Sequence, residues 1–162
     1  MTAIVGTSAT ERRTARLLVA AQFVLLAALA TLPRRNAWPV PDGLRRAGAL
    51  AIAGGIGIAA VASTSLGRGL TAVPLPNERT RLQTGGLYRL VRHPIYTGVL
   101  IAATARAALL SNWWAAGAVA ALTVLLNGKS RFEERHLADR FSGYREWADR
   151  TPRFVPRFRR SG

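Results

Sequence analysis

The sequence of 162 residues contains no cysteine, which excludes a disulfide framework, a thiolate metal site and a thiol nucleophile. It also lacks the His-Glu-x-x-His zinc motif, the Gly-x-Ser-x-Gly nucleophile turn and the Gly-x-Gly-x-x-Gly dinucleotide loop. The two histidines, His93 and His136, together with Glu133 and Glu134 are chemically adequate for zinc. Because they form no established zinc motif, we expect no metal site.

Acidic residues are scarce, with 8 Asp and Glu against 23 Lys and Arg, and the formal net charge is +15. The charges lie between four apolar runs, which cover residues 17–32, 47–66, 95–110 and 113–126. About 20 apolar residues are needed to cross the hydrocarbon core of a bilayer. We therefore expect an all-α polytopic membrane helix bundle with about four transmembrane helices, forming one domain over residues 1–162.

Three of these runs carry specific packing signals. The last two runs are short and are joined only by Ser111-Asn112, which predicts a tight antiparallel hairpin; Arg106 interrupts its first half. The Gly54-Gly55-Ile-Gly57 stretch favours a packing face, because small residues let a neighbouring membrane helix approach closely.

Arginines are concentrated in the amino-terminal arm, in the loop between the second and third runs, and in the tail after Leu126. Four crossings would place all three segments on one side, and the positive-inside rule makes that side cytoplasmic. The first loop, with Arg34, Arg35, Arg45 and Arg46, is the exception. We expect a protein of the bacterial inner membrane whose termini and active site are cytoplasmic.

The basic surface lies beside the apolar runs and lacks an aromatic platform of the kind on which single-stranded nucleic acid stacks. Anionic lipid headgroups fit this arrangement better. The expected partners are therefore membrane lipids and not nucleic acid, and the oligomeric state is left open.

The segment from Gly86 to Gly98 joins a polar cluster directly to the third apolar run. Its polar and aromatic members are Tyr88, Arg92, His93 and Tyr96. Pro94 suits the first turn of a helix, which places Arg92 and His93 at a helix amino terminus that attracts carboxylate or phosphate. A simpler interpretation is that these side chains only anchor the helix in the headgroup region. Ionisable groups at a membrane boundary are costly, and their combination here indicates a binding function.

A second group of charges follows the fourth run. Residues 129–148 are predicted to form an amphipathic cytoplasmic helix, because apolar residues recur there at intervals of five and four. This helix carries Glu133 and Glu134. They form either a solvated face whose ion pairs are worth at most about 1 kcal/mol each, or a pair of carboxylates that binds a cation or a ribose.

Two proline-containing segments are expected to be non-helical. Residues 67–86 should form an extended cytoplasmic loop that leads to Tyr88. The tail from Tyr144 to Phe158 contains Pro152 and Pro156, which favour an extended strap on the membrane surface.

Taken in order, these motifs resemble a known superfamily. They are Gly-x-Tyr-x-x-x-Arg-His-Pro-x-Tyr, a short helical hairpin, Glu-Glu-x-x-Leu and Tyr-x-x-Trp-x-x-Arg-x-Pro, found from Gly85 to Pro156. The set resembles the isoprenylcysteine carboxyl methyltransferase and phospholipid methyltransferase superfamily of integral membrane enzymes. The segment Phe141-Ser-Gly-Tyr144 is one residue shorter than the Phe-Gly-x-x-Tyr usual in that superfamily.

The resemblance implies a cytoplasmic pocket for S-adenosylmethionine and its product S-adenosylhomocysteine. Arg92 and His93 at the helix amino terminus suit the cofactor carboxylate. Glu133 and Glu134 suit its ammonium or ribose hydroxyls, and Gly98 would let the cofactor approach the backbone. The implied cofactor-binding residues are Tyr88, Arg92, His93, Pro94, Tyr96, Gly98, Glu133 and Glu134.

The same resemblance suggests catalytic roles. Methyl transfer from a sulfonium is an in-line displacement whose chief requirement is alignment. A carboxylate acceptor would need a cationic clamp, for which Arg150 and Arg106 are candidates, and an amine acceptor would need a base such as Glu134 or His93. The acceptor is expected to be a lipophilic or small molecule that arrives laterally from the bilayer.

Two other functions fit the sequence. One is a non-catalytic basic membrane protein that binds anionic lipid or a partner. The other is a membrane reductase of related architecture, which would bind a nicotinamide cofactor.

Overall fold

The computed structural model describes residues 8–69 and 80–156. Within these ranges the chain forms helices and no strand, which confirms the all-α prediction. The helices are α1 (Ala9–Thr31), α2 (Asp42–Leu66), α3 (Pro94–Leu110), α4 (Trp113–Arg140) and α5 (Tyr144–Arg150), with short 3-10 turns at Gly67–Gly69 and Gly86–Arg89. Residues 70–79 of the expected cytoplasmic loop and residues 157–158 of the expected strap lie outside the described residues.

The helices follow the four apolar runs. α1 and α2 are each long and apolar enough to cross a membrane, and α3 is a shorter apolar helix. α3 and the apolar half of α4 form the expected hairpin about Ser111 and Asn112.

The helix expected at residues 129–148 is not a separate element. α4 continues without a break from Trp113 to Arg140, because the junction contains Gly128 but no proline, and one glycine costs a helix only about 1 kcal/mol. The helix ends at Phe141, which is extended, and α5 begins after Gly143. Glu133 and Glu134 are therefore fixed on the same helix as the fourth apolar run.

Local signals account for the helix starts. Ser8 and Glu11 form a capping box at α1, in which each side chain accepts a hydrogen bond from the other residue's backbone N–H. Pro94 occupies the first turn of α3, as predicted. At α4 the Asn112 side chain accepts from the Trp114 N–H.

Neighbouring helices pack antiparallel. α2 crosses α3 so closely that a Cβ at Gly55 would lie 2.5 Å from the Gly98 carbonyl oxygen and 2.8 Å from the Ala102 nitrogen. This confirms the packing face for Gly55, whereas Gly54 and Gly57 face open space. α1 packs mainly against α4, around a core centred on Leu29, Leu122 and Leu126.

This arrangement brings four helix ends together at one end of the bundle: the starts of α1 and α3 and the ends of α2 and α4. The opposite end is closed by the loop after α1. There Ser111 exchanges hydrogen bonds with the backbone of Trp38, and the Asn112 amide donates to the Pro33 carbonyl at 2.9 Å. We call these residues, Trp38, Ser111 and Asn112, the neutral end.

Candidate functional site

Glu134 lies at the centre of the other end of the bundle, where it accepts hydrogen bonds from three cationic or ionisable side chains. The donors are Arg92 Nε at 3.0 Å, His93 Nε2 at 3.0 Å, and Arg153 Nε and Nη2 at 2.9 and 2.7 Å. Arg92 and Glu134 are 42 positions apart in sequence. We call Arg92, His93, Glu133, Glu134 and Arg153 the ionic cluster.

The carboxyl-terminal segment is tied to this cluster through its backbone. The Arg92 N–H donates to Pro152 O at 2.8 Å and the His93 N–H donates to Arg153 O at 3.1 Å. Arg92 Nη1 donates to the carbonyls of Ala148 and Thr151. In the described part of the chain the expected strap is non-helical over residues 151–156, with bends at residues 153–155, but the seven residues before it form α5.

Glu133 has fewer partners than Glu134. One of its oxygens accepts from the Tyr96 hydroxyl at 3.1 Å and lies 3.7 Å from His93 Nδ1. Its other oxygen has no hydrogen-bond partner among the described residues, and its side chain is 31% exposed against 14% for Glu134. The Tyr96 and His93 rings stack with centroids 5.3 Å apart. Glu133 is therefore the carboxylate that remains available to a ligand.

Tyr88 is buried beside α2, where its hydroxyl donates to Ala62 O at 3.4 Å. Burial raises the pKa of Tyr88 well above its usual value, and the negative charge of Glu133 raises it further. Tyr88 therefore stays neutral and joins the segment before α3 to the end of α2.

The structure changes the role expected for Gly98. Gly98 faces α2, and a Cβ there would overlap the Gly55 carbonyl oxygen and lie 2.8 Å from the Ala59 nitrogen. The helix crossing requires this glycine, so the expected close approach of a cofactor to its backbone is not supported. Pro94 is likewise buried and serves as the first residue of α3.

Two of the three expected catalytic residues do not join the cluster. Arg106 lies three turns along α3, roughly 18 Å from its start by helix geometry, and donates to the Ala30 carbonyl of α1 at 3.3 Å. Arg150 is on α5, where its 72% exposed side chain pairs with Glu146. The expectation that Arg106 or Arg150 clamps an acceptor at this site is therefore not met by their positions.

The third expected catalytic residue, Glu134, is in the cluster but is already engaged. Burial alone would raise the pKa of Glu134, but hydrogen bonds from His93 and Arg153 and the nearby positive charge lower it well below its usual value. A carboxylate with a lowered pKa is a weak general base at neutral pH. The geometry of Glu134 fits the holding of cations better than proton abstraction.

Tyr144 adds an unsatisfied polar atom to this region. Its side chain is 3% exposed, and its hydroxyl is the one buried side-chain N or O atom without a hydrogen-bond partner in the described part of the chain. Burial raises the pKa of Tyr144, as does the charge of Glu134. A buried hydroxyl without a partner beside charged groups is what a bound polar ligand or water would satisfy.

Sequence reasoning missed Arg153 and Asn127. Arg153 donates to both Glu134 and the Asn127 side chain, the latter at 2.9 Å. The tail contains Arg150 and Arg153 three positions apart, and the family resemblance favoured Arg150. The available signal was Pro152, which makes the chain leave α5 and turns the second arginine toward the bundle.

Comparisons with known proteins show the family of this chain. The phospholipid methyltransferase family matches residues 44–143, which include most of α2 and all of α3 and α4 but not the strap. The cobalt-zinc-cadmium resistance protein CzcN of Cupriavidus metallidurans is 31% identical over 104 residues, 63% of this chain and 48% of that protein. The chain thus spans about half the length of this curated relative. A family match over more than half of the chain shows that this protein belongs to the phospholipid methyltransferase family, within the isoprenylcysteine carboxyl methyltransferase-like superfamily.

Proposed function

We propose that the protein is an integral membrane methyltransferase that uses S-adenosylmethionine and acts on a lipophilic or small-molecule acceptor at the cytoplasmic membrane face. The observation that carries this proposal is the convergence of Arg92 and His93 with Glu134, across some forty positions of sequence, in a family of methyltransferases. α1 and α2, each long enough to cross a membrane, support the membrane location.

The donor set fits parts of this cofactor. Glu133 offers a partly exposed carboxylate for an ammonium or for ribose hydroxyls. The first N–H groups of α3 have no intrahelical acceptor and no side-chain cap, which suits a carboxylate. The unpartnered Tyr144 hydroxyl provides a further hydrogen bond. By contrast, Arg92 and His93 are bound to Glu134 and are not free to bind the cofactor carboxylate directly.

When bound, the cofactor supplies an electrophilic methyl group on a sulfonium centre. The chain's own contribution is orientation. Glu134 fixes Arg92, His93 and Arg153, and these tie α3, α4 and the strap into one frame. Glu133 and Tyr96 are hydrogen-bonded to each other beside these residues, and Glu133 is partly exposed. Alignment of this kind supplies about 7 to 11 kcal/mol in well-oriented reactions.

Calorimetry on the purified, detergent-solubilised chain tests the proposal. We expect S-adenosylhomocysteine to bind, and Glu133→Gln to weaken binding about tenfold through loss of one charge-assisted hydrogen bond. Glu146→Gln is the matched control, because Glu146 is exposed and pairs with the exposed Arg150 on the same helix. Absence of binding by folded protein at millimolar ligand would refute the proposal, and binding of a nicotinamide cofactor instead would favour a reductase.

The acceptor class can be found with a second experiment. Incubation of membrane lipid extracts with the protein and methyl-labelled S-adenosylmethionine should yield a labelled product by mass spectrometry. Label in the lipid fraction supports a lipophilic acceptor, and label only in the aqueous fraction supports a small soluble one.

Cysteine labelling tests the proposed orientation in the membrane. Because the chain has no cysteine of its own, only an introduced cysteine can be labelled. Ser142, at the same end of the bundle as the ionic cluster, and Ala37, at the neutral end, are both exposed and suit single cysteine substitutions. In intact cells an impermeant maleimide should label Ala37→Cys and not Ser142→Cys. The reverse pattern would overturn the cytoplasmic placement.

A further inference from the structure

Lys129 is the one lysine among the 23 basic residues of the chain, and it is almost completely buried. It lies on α4 one helical turn before Glu133, and only 3% of its surface is exposed. Burial of an ammonium group is costly unless the group is paired. The groups around the Lys129 ammonium must therefore compensate the cost of its burial.

The partners of Lys129 are unusual for a buried cation. Its Nζ donates to Gln22 Oε1 on α1 at 2.7 Å and lies over the Tyr96 ring, 5.2 Å from the ring centroid. In the described ranges no carboxylate oxygen forms an ion pair with it, although the charge of Glu133 acts on it. Gln22 is the polar amide within the first apolar run.

Tyr96 connects this pair to the ionic cluster. Its ring receives Lys129 and stacks on His93, and its hydroxyl donates to Glu133. A cation over a tyrosine ring is held by the ring's negative face and is attracted more strongly when water is excluded. It also polarises the phenol and so strengthens the hydrogen bond that the hydroxyl donates.

We infer that Lys129, fixed by Gln22, is a positioning residue for the cofactor site: it holds Tyr96 and, through the Tyr96 hydroxyl, the carboxylate of Glu133 that receives the cofactor. The inference rests on the proposed function. It gives α1 a part in the site, through Gln22, although α1 supplies no residue to the ionic cluster.

The test measures the affinity of the full chain for S-adenosylhomocysteine, together with its melting temperature in detergent. Lys129→Met should weaken binding about tenfold, which corresponds to about 1.4 kcal/mol. Lys129→Arg should stay within about threefold of wild type, because arginine also binds over aromatic rings. Arg131→Met removes one positive charge from an exposed position of the same helix and should leave affinity unchanged.

A double-mutant cycle separates positioning from general stability. In a Tyr96→Phe background, Lys129→Met should change affinity by less than about twofold, because the two residues act through one hydrogen bond. Gln22→Leu should weaken binding about threefold, and should have no further effect when Lys129 is already methionine. If Lys129→Met does not fold, Gln22→Leu and Lys129→Arg carry the test.

The outcomes distinguish the two proposals. Loss of affinity in Lys129→Met with rescue by arginine supports positioning. Unchanged affinity in folded Lys129→Met or in Gln22→Leu, with or without a lower melting temperature, overturns the positioning role and leaves the methyltransferase proposal intact. Absence of binding by the wild type refutes the methyltransferase proposal itself.

Discussion

The two ends of the helix bundle both bury polar side chains, but they do so with different chemistry. At the neutral end, Ser111 and Asn112 satisfy backbone groups of the loop after α1. At the other end, Glu134 compensates Arg92, His93 and Arg153 at once. Uncharged side chains are enough to hold a loop against the bundle. The charged residues of the ionic cluster therefore need an explanation other than loop attachment.

The two ends also differ in the polar atoms that lack a hydrogen-bond partner within the described residues. At the neutral end the Ser111 hydroxyl both donates and accepts, and both ends of the Asn112 amide are used. Near the ionic cluster the Tyr144 hydroxyl has no partner and one Glu133 oxygen is open within the described residues. A polar site that completes its own hydrogen bonds is structural, whereas one that leaves them incomplete is suited to a ligand.

Glu134→Gln is the substitution expected to have the largest effect on stability and on ligand binding. Removal of the central charge leaves three donors without compensation. Breaking a fully buried ion pair costs about 3 to 5 kcal/mol, and these part-buried pairs should cost less than that. We expect a large fall in the melting temperature in detergent and loss of measurable S-adenosylhomocysteine binding. The control is Asp139→Asn, which removes a carboxylate from an exposed position of α4. Equal effects of the two changes would show that the ionic cluster is no more than a solvated surface.

The two tail arginines should behave very differently. Arg153→Ala removes two charge-assisted hydrogen bonds to Glu134 and should cost about 2 to 3 kcal/mol of stability. Arg150→Ala removes one exposed pair within α5 and should cost less than about 0.5 kcal/mol. Chemical unfolding of both variants in detergent measures the difference. A larger loss of stability in Arg150→Ala than in Arg153→Ala would contradict this prediction and would favour Arg150 as the cationic clamp.

This pair shows where sequence reasoning ends. The motif order and the hydrophobic runs were enough to predict the four apolar helices, the hairpin and the convergence of His93 with the two glutamates, but not the unbroken length of α4 or the existence of α5. They could not distinguish Arg150 from Arg153, because the choice depends on where α5 ends and how the strap returns along α3. Such long-range backbone pairing leaves no local pattern.

Gly98 and Glu134 illustrate a second limit. Both lie in motifs that point to a ligand, and both turn out to serve contacts within the protein: one a helix crossing, the other an ion network. A sequence identifies residues that need a special environment. It does not say whether that environment is filled by a ligand or by the rest of the chain.

At the neutral end, Asn112→Ala tests the structural half of the comparison. It removes the cap of α4 and the hydrogen bond to Pro33, and should cost about 1 to 2 kcal/mol. Affinity for S-adenosylhomocysteine should stay unchanged in the folded protein, as measured by calorimetry. A coupled loss of affinity would mean that the two ends communicate through the hairpin.

The smallest effect is expected from mild acid. The groups that face Glu134 are Arg92, His93, Arg153, Tyr144 and Glu133. Burial alone would raise the native pKa of Glu134, but His93, Arg153 and Arg92 lower it below the unfolded value of 4.5, so the stability contributed by this carboxylate is fully present above that value. It is lost only as the pH falls further, through the native pKa.

The difference in melting temperature between wild type and Glu134→Gln should therefore not decrease from pH 7 to pH 5, and should shrink below about pH 4.5. The difference between wild type and Asn112→Ala should not depend on pH, since no titratable group is removed. A decrease already between pH 7 and pH 5.5 would mean that the native pKa is raised, and Glu134 would then regain the chemistry of a base.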